Sequence, residues 1–142
     1  MRIISWNVNG IRASVKKGLI DQINSHQADI WCFQETKAQD DQVLEALQDL
    51  SSEYHIQSTS AVKKGYSGVA ILTKKSTFGE VSPSWSSGLS IDEHDQEGRV
   101  LRFDAGDFHL VNVYVPNSSS GMKRLPYRKT WDIAFATHLK TL

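Results

Sequence analysis

The sequence predicts an α/β fold in which a mixed β-sheet is flanked by helices. Segments with alternating apolar residues, the period of a strand, are interspersed with segments whose apolar residues recur at helical spacing. A nearly continuous apolar run at residues 28–35 is typical of a strand that is covered on both faces. The chain therefore begins with the order strand, helix, buried strand, which is that of a βαβ unit.

The first elements occupy the N-terminal quarter of the chain. Residues 2–8 alternate between two faces and predict a strand, which the turn signal Asn9-Gly10 ends. Residues 18–27 carry apolar side chains on one face and predict a short amphipathic helix. Residues 28–35 then form the buried strand of the βαβ unit.

The middle of the chain predicts a second helix, a hairpin-like pair of strands and a long loop. Residues 40–50 begin with aspartates, which a helix N-terminus favours, and continue with apolar residues on one face. Residues 54–60 and 68–74 are strand candidates on either side of a glycine-containing loop. Residues 81–97 are rich in serine, glycine and acidic residues without a sustained period, so we expect an exposed loop.

The last third predicts two more strands and a final helix. Residues 99–116 indicate a strand, a turn at 104–107 and a second strand that Pro116 stops. Residues 125–142 place aromatic and aliphatic side chains, among them Trp131, on one helical stripe.

Composition limits the class of protein. The 142 residues suffice for one compact domain, and 16 basic and 16 acidic side chains leave no net charge. A nucleic-acid partner must therefore be met by a local basic patch. The single cysteine, Cys32, lies in the apolar run, which excludes a disulfide scaffold and indicates a reducing compartment. With no signal-peptide core and no membrane-spanning segment, we expect a soluble intracellular protein without a membrane partner.

Three polar side chains stand at predicted strand ends, where α/β sheets collect their ligand sites. Glu35 could hold a hard cation such as Mg²⁺, or it could be a solvated carboxylate that pairs with Lys37. Asn7 alone is also typical of a turn, and Tyr114 alone of a half-buried strand aromatic. The sequences Gly106-Asp107 and Glu93-His94-Asp95 are interpreted as surface features rather than catalytic pairs.

Five motifs in this order resemble the N-terminal half of the exonuclease III family of apurinic/apyrimidinic (AP) endonucleases. They are SWNVNGIRA, DIWCFQETK, GYSGVAILTK, EHDQEGRV and VNVYVPN. EHDQEGRV and RLPYRKTWD resemble in particular the branch that includes the major human enzyme. The resemblance runs from residue 2 nearly to the end of the chain, and the joint occurrence of the motifs is highly specific.

The resemblance implies a role for each candidate. Glu35 corresponds to the family's Mg²⁺-binding glutamate, Asn7 to an asparagine that orients the catalytic carboxylates, and Tyr114 to a tyrosine whose phenol contacts the scissile phosphate. Asn9 stands where the human-type branch has an aspartate near the metal. The residues that the resemblance places at DNA are Arg12, Lys17, Tyr66, Arg99, Asn117 and Arg124.

The implied reaction is hydrolysis of the phosphodiester 5′ to an abasic site in double-stranded DNA, with Mg²⁺ or Mn²⁺ as cofactor, in the cytoplasm and nucleoid or in the nucleus. The implied fold is a four-layer α/β sandwich, of which residues 1–142 form the N-terminal half as a single partial domain. We expect this half to supply roughly one sheet, whose exposed apolar face would favour self-association. The family's Gly-Asp-x-Asn segment, a later metal-site aspartate and a final Ser-Asp-His are absent, so we expect residues 1–142 alone to be inactive.

Two alternatives remain open from the sequence. The chain could be a non-catalytic fragment that binds DNA or a protein partner. It could also act on phosphoinositides or sphingomyelin, because those relatives share an Asn and a Glu. The stretches GIRA, GYSG and EGR, which resemble DNA contacts, argue against the second alternative.

Overall fold

Seven strands and six helices make up the computed structural model, which describes all residues from 1 to 142. The strands are β1 (Ile3–Asn7), β2 (Ile30–Gln34), β3 (Tyr54–Thr59), β4 (Val69–Lys74), β5 (Ser84–Ser87), β6 (Val100–Asp104) and β7 (His109–Val113). The helices are α1 (Ile11–Lys16), α2 (Leu19–His26), α3 (Asp40–Ala46), α4 (Lys75–Phe78), α5 (Asp92–Asp95) and α6 (Leu125–Leu139). Short 3-10 turns occur at Gln48–Leu50 and Ser120–Met122.

The strands form a mixed sheet and an antiparallel sheet. The first sheet has the order β1-β2-β4-β3, in which β1 and β2 run parallel and β4 is antiparallel to both neighbours. The second sheet has the order β5-β6-β7 and is antiparallel throughout. The predicted βαβ start, the pairing of segments 54–60 and 68–74, and the strand-turn-strand at 99–116 are thereby confirmed.

Apolar clusters stack the elements into four layers. Ile23 of α2 and Val43 of α3 belong to the cluster that covers Trp31 and Phe33 on the outer face of the first sheet. On the far side of the molecule, Trp131 of α6 belongs to the cluster that covers the outer face of the second sheet. The order is therefore helices, sheet, sheet, helix, and the predicted α/β sandwich is confirmed.

The two sheets pack face to face, which corrects the expectation of roughly one sheet with an exposed apolar face. Ile30 and Ile71 of the first sheet are completely buried because Leu101 and Phe103 of the second sheet cover them. The face that was expected to drive self-association is thus closed by the chain's own β5, β6 and β7. Exposed apolar side chains of the first sheet lie instead on its edge strand β1.

The segment 81–97 is not the loop that its composition predicts. It contains β5 and α5, which tertiary contacts stabilise in the absence of any periodic pattern. Trp85 of β5 packs on Phe103, with ring centroids 5.1 Å apart. His94 of α5 is buried against the ring of Tyr127 rather than solvated. The carboxylate of Asp95 accepts hydrogen bonds from two backbone N–H groups of the preceding loop. Of the two stretches interpreted as surface features, only Gly106-Asp107 is exposed throughout.

The helix boundaries also differ from the sequence prediction in places. Helix α1 follows the Asn9-Gly10 turn directly and was not predicted, and α4 was missed because it has only four residues. The predicted helix 40–50 ends at Ala46 and continues as a 3-10 turn. None of the helices combines the length and the apolarity that crossing a membrane requires.

Helix α2 ends on a residue whose backbone favours glycine. Gln27 has φ 48° and ψ 43°, the left-handed conformation, and its N–H donates to the carbonyl oxygen of Ile23. We expect Gln27→Gly to raise the free energy of unfolding by about 0.5–1 kcal/mol, because glycine adopts this conformation without strain. Urea unfolding followed by circular dichroism measures the change. Gln27→Ala is the matched control: it loses the same side-chain hydrogen bonds to Asn24 and Lys74 as Gln27→Gly but keeps the strain, so it should be less stable than Gln27→Gly.

Candidate functional site

Three loops meet at one end of the sandwich and are fixed to one another by backbone hydrogen bonds. The loop after β2 donates from Thr36 to Gly68 over 3.1 Å and from Lys37 to Ser67 over 2.9 Å. The same loop accepts the N–H of Gly10 at Glu35 over 2.7 Å. The loops after β1, after β2 and before β4 therefore form one connected unit around Glu35.

The backbone of this unit is strained. Asn9, Glu35, Lys37 and Ser67 are non-glycine residues with φ of 47°, 55°, 49° and 48°. Each left-handed non-glycine residue costs about 1–3 kcal/mol, and such residues cluster where the surrounding structure holds a functional group in place. Hydrogen bonds between the loops hold the strained conformation and fix the direction of the Glu35 side chain.

Glu35 lies at the centre of a hydrogen-bonded cluster. Its Oε1 accepts the phenol O–H of Tyr114 at 2.5 Å and the Nδ2 of Asn7 at 3.1 Å. Its Oε2 lies 3.1 Å from the ammonium of Lys37, which also donates to the Oδ1 of Asn9 at 2.5 Å. The three residues that the sequence singled out at strand ends thus meet at one carboxylate, and the ion pair with Lys37 is present as well.

The cluster perturbs the ionisation of Glu35 and Tyr114. Burial alone would raise the pKa of Glu35, but the hydrogen bonds from Tyr114, Asn7 and Lys37 outweigh it, and the pKa falls below its ordinary 4.5. Burial, together with the hydrogen bond to the Glu35 carboxylate and its charge, raises the pKa of Tyr114 to about 12. At neutral pH the pair is therefore a carboxylate and a neutral phenol, and the stability that the ionised carboxylate contributes is lost only as the pH falls through its lowered pKa.

The pKa of Tyr114 gives a direct test of this pairing. We expect Glu35→Gln to lower the pKa of Tyr114 from about 12 towards the ordinary 10.0, because the negative charge that disfavours the phenolate is removed. Burial remains in the variant, so the value should stay above 10.0. A spectrophotometric pH titration of the phenolate measures the shift, and Tyr114→Phe identifies the transition. An unchanged titration in Glu35→Gln would contradict the pairing.

The donor set around Glu35 fits one hard cation in an open site. Mg²⁺ commonly binds proteins through one or two carboxylates and completes its coordination with water and phosphate oxygens. Here Glu35 supplies the carboxylate, and the side-chain oxygens of Asn7 and Asn9 are the nearby neutral donors. No group of three or more His, Cys, Asp or Glu side chains that could hold a metal occurs in the structure, so the chain holds no closed metal centre.

A second cluster stands behind Tyr114 and contains three of the residues expected at DNA. The guanidinium of Arg99 donates to the hydroxyl of Tyr66 over 2.9 Å, and Arg124 donates to the same hydroxyl over 2.9 Å. Glu97 accepts from Arg99 over 2.6 Å and from Arg124 over 2.8 Å. Arg99 is only 3% exposed, which argues against the expectation that it contacts DNA directly.

The other three residues expected at DNA belong to neither cluster. Arg12 is exposed and lines a shallow pocket with Lys16, Lys37 and the Gly10 backbone, close to Glu35. Lys17 is exposed just after α1 and does not line that pocket. Asn117 is also exposed, and its side-chain oxygen accepts the N–H of Ser119 in a turn.

Sequence reasoning did not assign functional roles to Glu97 and Asn112. Asn112 is 3% exposed and joins the sheets: its Nδ2 donates to the carbonyls of Phe33 and Ala70, and its Oδ1 accepts from Gln34 at 2.7 Å. Gln34 immediately precedes Glu35, so this network fixes the strand end that carries the carboxylate. The sequence carried one signal for each of these roles. Asn112 is an amide within a predicted strand, and Glu97 is an acidic residue two positions before Arg99.

The chain is similar to curated DNA-repair nucleases. It is 41% identical to an exodeoxyribonuclease of Bacillus subtilis over 100% of this chain and 53% of that protein. It is 42% identical to the DNA repair nuclease APEX1 of Danio rerio over 98% of this chain and 44% of that protein. The chain thus spans about half the length of the curated relatives it matches.

Solved structures agree in fold and in coverage. The crystal structure of the AP endonuclease LMAP from Leishmania major superposes with a TM-score of 0.78 at 31% identity, covering 97% of this chain and 47% of that one. The 3′ phosphatase NExo from Neisseria, bound to a product DNA hairpin, superposes with a TM-score of 0.79 at 25% identity, covering 99% of this chain and 52% of that one. Residues 4–140 match the family model directly, and the chain belongs to the endonuclease/exonuclease/phosphatase family.

Proposed function

We propose that residues 1–142 are the N-terminal part of a divalent-metal-dependent DNA-repair nuclease of the AP endonuclease and exodeoxyribonuclease III type, and form a single partial domain of it. The observation that carries the proposal is the convergence of Asn7, Glu35 and Tyr114 on one carboxylate. Asn7 and Tyr114 stand 28 and 79 positions from Glu35 in the chain, yet the three meet beside a basic pocket at the end of the sandwich.

The chain's own groups are suited to handling a phosphate. The Tyr114 phenol stays protonated at neutral pH, so it can donate a hydrogen bond. Its acceptor is the Glu35 carboxylate, or a phosphate oxygen that takes the place of this carboxylate. The amide of Asn7 holds the Glu35 carboxylate in one orientation. AP endonucleases generally depend on a divalent metal, and we propose Glu35 as its ligand here, with Mg²⁺ or Mn²⁺ bound. When bound, the cation would neutralise the phosphate charge and stabilise the leaving oxyanion.

Cationic side chains beside this carboxylate supply the DNA-binding surface in the proposal. Arg12, Lys16 and Lys37 line the pocket next to Glu35, and Arg124 and Lys63 lie around Tyr66. Contacts of this kind neutralise backbone phosphates and give affinity that depends on salt but not on base sequence. Lys17 and Asn117 extend this surface in the proposal.

The substrate that we propose is double-stranded DNA with an abasic site, cleaved on its 5′ side. The support comes from the relatives that are named for this activity and from the sequence motifs. An abasic nucleotide has no base to unpair, so moving it out of the helix costs less than flipping an intact nucleotide. A role at DNA would place the protein in the cytoplasm and nucleoid or in the nucleus.

A second function is favoured by one feature of the site. Glu35 is the sole carboxylate within hydrogen-bond distance of Tyr114 and Asn7. It does not belong to any group of three or more His, Cys, Asp or Glu side chains that could hold a metal ion. On this basis residues 1–142 alone would bind DNA, or a protein partner, without cleaving it.

DNA binding by purified residues 1–142 tests the proposal. We expect affinity for an abasic duplex that falls steeply with salt, and Arg12→Gln should reduce the slope of log K against log [salt] by about 1, because one phosphate contact is lost. Lys140→Gln, at the exposed end of α6, should leave the slope unchanged. Absence of binding at low salt would exclude a DNA-binding surface on residues 1–142.

Adding Mg²⁺ to the same samples distinguishes the nuclease interpretation from the non-catalytic interpretation for residues 1–142 alone. We expect the abasic strand to remain uncut. Nicking that Glu35→Ala abolishes would show that residues 1–142 form a self-sufficient catalyst, and it would exclude the non-catalytic interpretation.

A further inference from the structure

Arg99 is a buried cation that is used entirely inside the protein. Its Nε donates to Glu97 at 2.6 Å, its Nη1 to the backbone carbonyl of Tyr114 at 3.0 Å, and its Nη2 to the hydroxyl of Tyr66 at 2.9 Å. The guanidinium also lies over the ring of Tyr114, 4.8 Å from the centroid. All three nitrogens therefore donate to protein groups, and one face of the guanidinium contacts the candidate phosphate-binding tyrosine.

These contacts close a ring of four side chains. Glu97 bridges the two arginines, with one oxygen on Arg99 and the other on Arg124. The hydroxyl of Tyr66 accepts from both arginines, so it closes the ring on the opposite side. The Arg124 side chain is 29% exposed, and the ammonium of Lys63 lies 5.3 Å from the centroid of the Tyr66 aromatic ring. The four-residue ring therefore has one side towards solvent, and its other side contacts Tyr114 through Arg99.

We propose that Arg99, held by Glu97, is a positioning residue that links the DNA-facing pair of Tyr66 and Arg124 to Tyr114 at the phosphate site. The inference rests on the proposed function for the ligands at the two ends of this link. A phosphate that contacts Arg124 or Tyr66 alters the hydrogen bonds of the Arg99 guanidinium, and the same guanidinium fixes the ring and the backbone carbonyl of Tyr114. DNA contact outside the site would thereby set the position of the phenol that meets the scissile phosphate.

Direct contact between Arg99 and DNA fits the structure less well. A phosphate could reach the guanidinium only after the ring of four side chains had opened, which would break the hydrogen bonds of Arg99 to Glu97 and Tyr66. A buried cation that loses a hydrogen-bonded partner is strongly disfavoured. The positioning role requires no such opening.

The hydroxyl proton of Tyr114 provides a spectroscopic measurement that needs no DNA. A phenol proton shared between two oxygens 2.5 Å apart is expected as a downfield, slowly exchanging NMR signal of purified residues 1–142, and Tyr114→Phe assigns it. Arg99→Lys should shift or abolish this signal, because a lysine ammonium cannot reproduce the planar fork that serves three partners. Arg102→Lys, a matched change three residues further along the chain and within β6, should leave the signal in place.

Tyr66→Phe keeps the test valid if Arg99→Lys does not fold. This change removes only the hydroxyl, which Tyr114 does not touch, and it should still shift the Tyr114 signal through Arg99. If neither Arg99→Lys nor Tyr66→Phe moves the signal, the link between the two tyrosines is refuted.

The salt dependence of DNA binding distinguishes positioning from contact. We expect Arg99→Gln, which removes the positive charge, to lower the affinity of residues 1–142 for an abasic duplex without changing the slope of log K against log [salt]. A slope reduced by about 1 would show a phosphate contact by Arg99 and overturn the inference. If neither the wild-type chain nor any variant binds DNA, the DNA-binding surface of the proposed function fails, while the NMR comparison still decides whether Arg99 positions Tyr114.

Discussion

Glu35→Gln is expected to abolish phosphodiester cleavage in a protein that contains both halves of the fold. A suitable protein is a chimera in which this chain replaces the matching portion of the Bacillus subtilis exodeoxyribonuclease, to which it is 41% identical. We expect the chimera to cut an abasic duplex with Mg²⁺, and Glu35→Gln to slow the cut by a factor on the order of 10³ or more. The reason is that the amide keeps the shape of the side chain but removes the charge that would hold the cation.

Two comparisons make this result specific. Glu80→Gln removes an exposed carboxylate from the segment after α4 and should leave the cleavage rate unchanged. Cation affinity, measured by the displacement of Mn²⁺ with Mg²⁺, should fall in Glu35→Gln together with the rate. A folded chimera that leaves the abasic strand intact would contradict the proposed nuclease function. A Glu35→Gln variant that cuts at the wild-type rate would refute the metal-binding role of Glu35.

Apolar periodicity predicted most of the strands because burial and periodicity coincide there. The run at 28–35 has four successive buried residues in β2, which is covered by helices on one face and by the second sheet on the other. Segments 54–60 and 68–74 likewise became β3 and β4. Where the core itself specifies an element, the sequence alone was sufficient.

Elements that depend on partners far along the chain were not predictable. The sequence of β5 is Ser-Trp-Ser-Ser, and nothing in it announces a strand until Trp85 is placed on Phe103 of β6. The second sheet was missed as a separate layer for the same reason, since its apolar residues do not show which surface they cover. Tertiary packing overrides local propensity at such positions.

The candidate site divides in the same way. Strand ends indicated Asn7, Glu35 and Tyr114, but only the fold shows that their side chains meet. The sequence could not show that Arg99 is buried, because its partners are Glu97, Tyr66 and the backbone of Tyr114, which lie up to 33 positions away. A charged residue in a motif therefore indicates that a position matters without showing whether it contacts the ligand or positions a residue that does.

Gly98→Ala is expected to destabilise the fold strongly, because the added methyl group would collide with a neighbouring segment of main chain. Gly98 has φ of 57°, and a Cβ at this position would lie 2.6 Å from the carbonyl oxygen of Ser60 and 2.7 Å from the backbone nitrogen of Ala61. Both are backbone atoms that cannot rotate away, so the main chain has to move. We expect the free energy of unfolding to fall by about 2–5 kcal/mol, the sum of the left-handed strain and the overpacking.

Gly106→Ala separates these two contributions. Gly106 has φ of 84° in the turn between β6 and β7, but no atom lies within 4 Å of the position of its Cβ. Its substitution therefore adds strain without a clash and should cost about 1–2 kcal/mol in urea unfolding. Because Gly98 joins Glu97 to Arg99, a folded Gly98→Ala protein should also displace the ring of side chains behind Tyr114 and shift the Tyr114 hydroxyl signal. If Gly98→Ala is no more destabilising than Gly106→Ala, then the close approach of residues 60–61 to residue 98 is not a constraint on this fold.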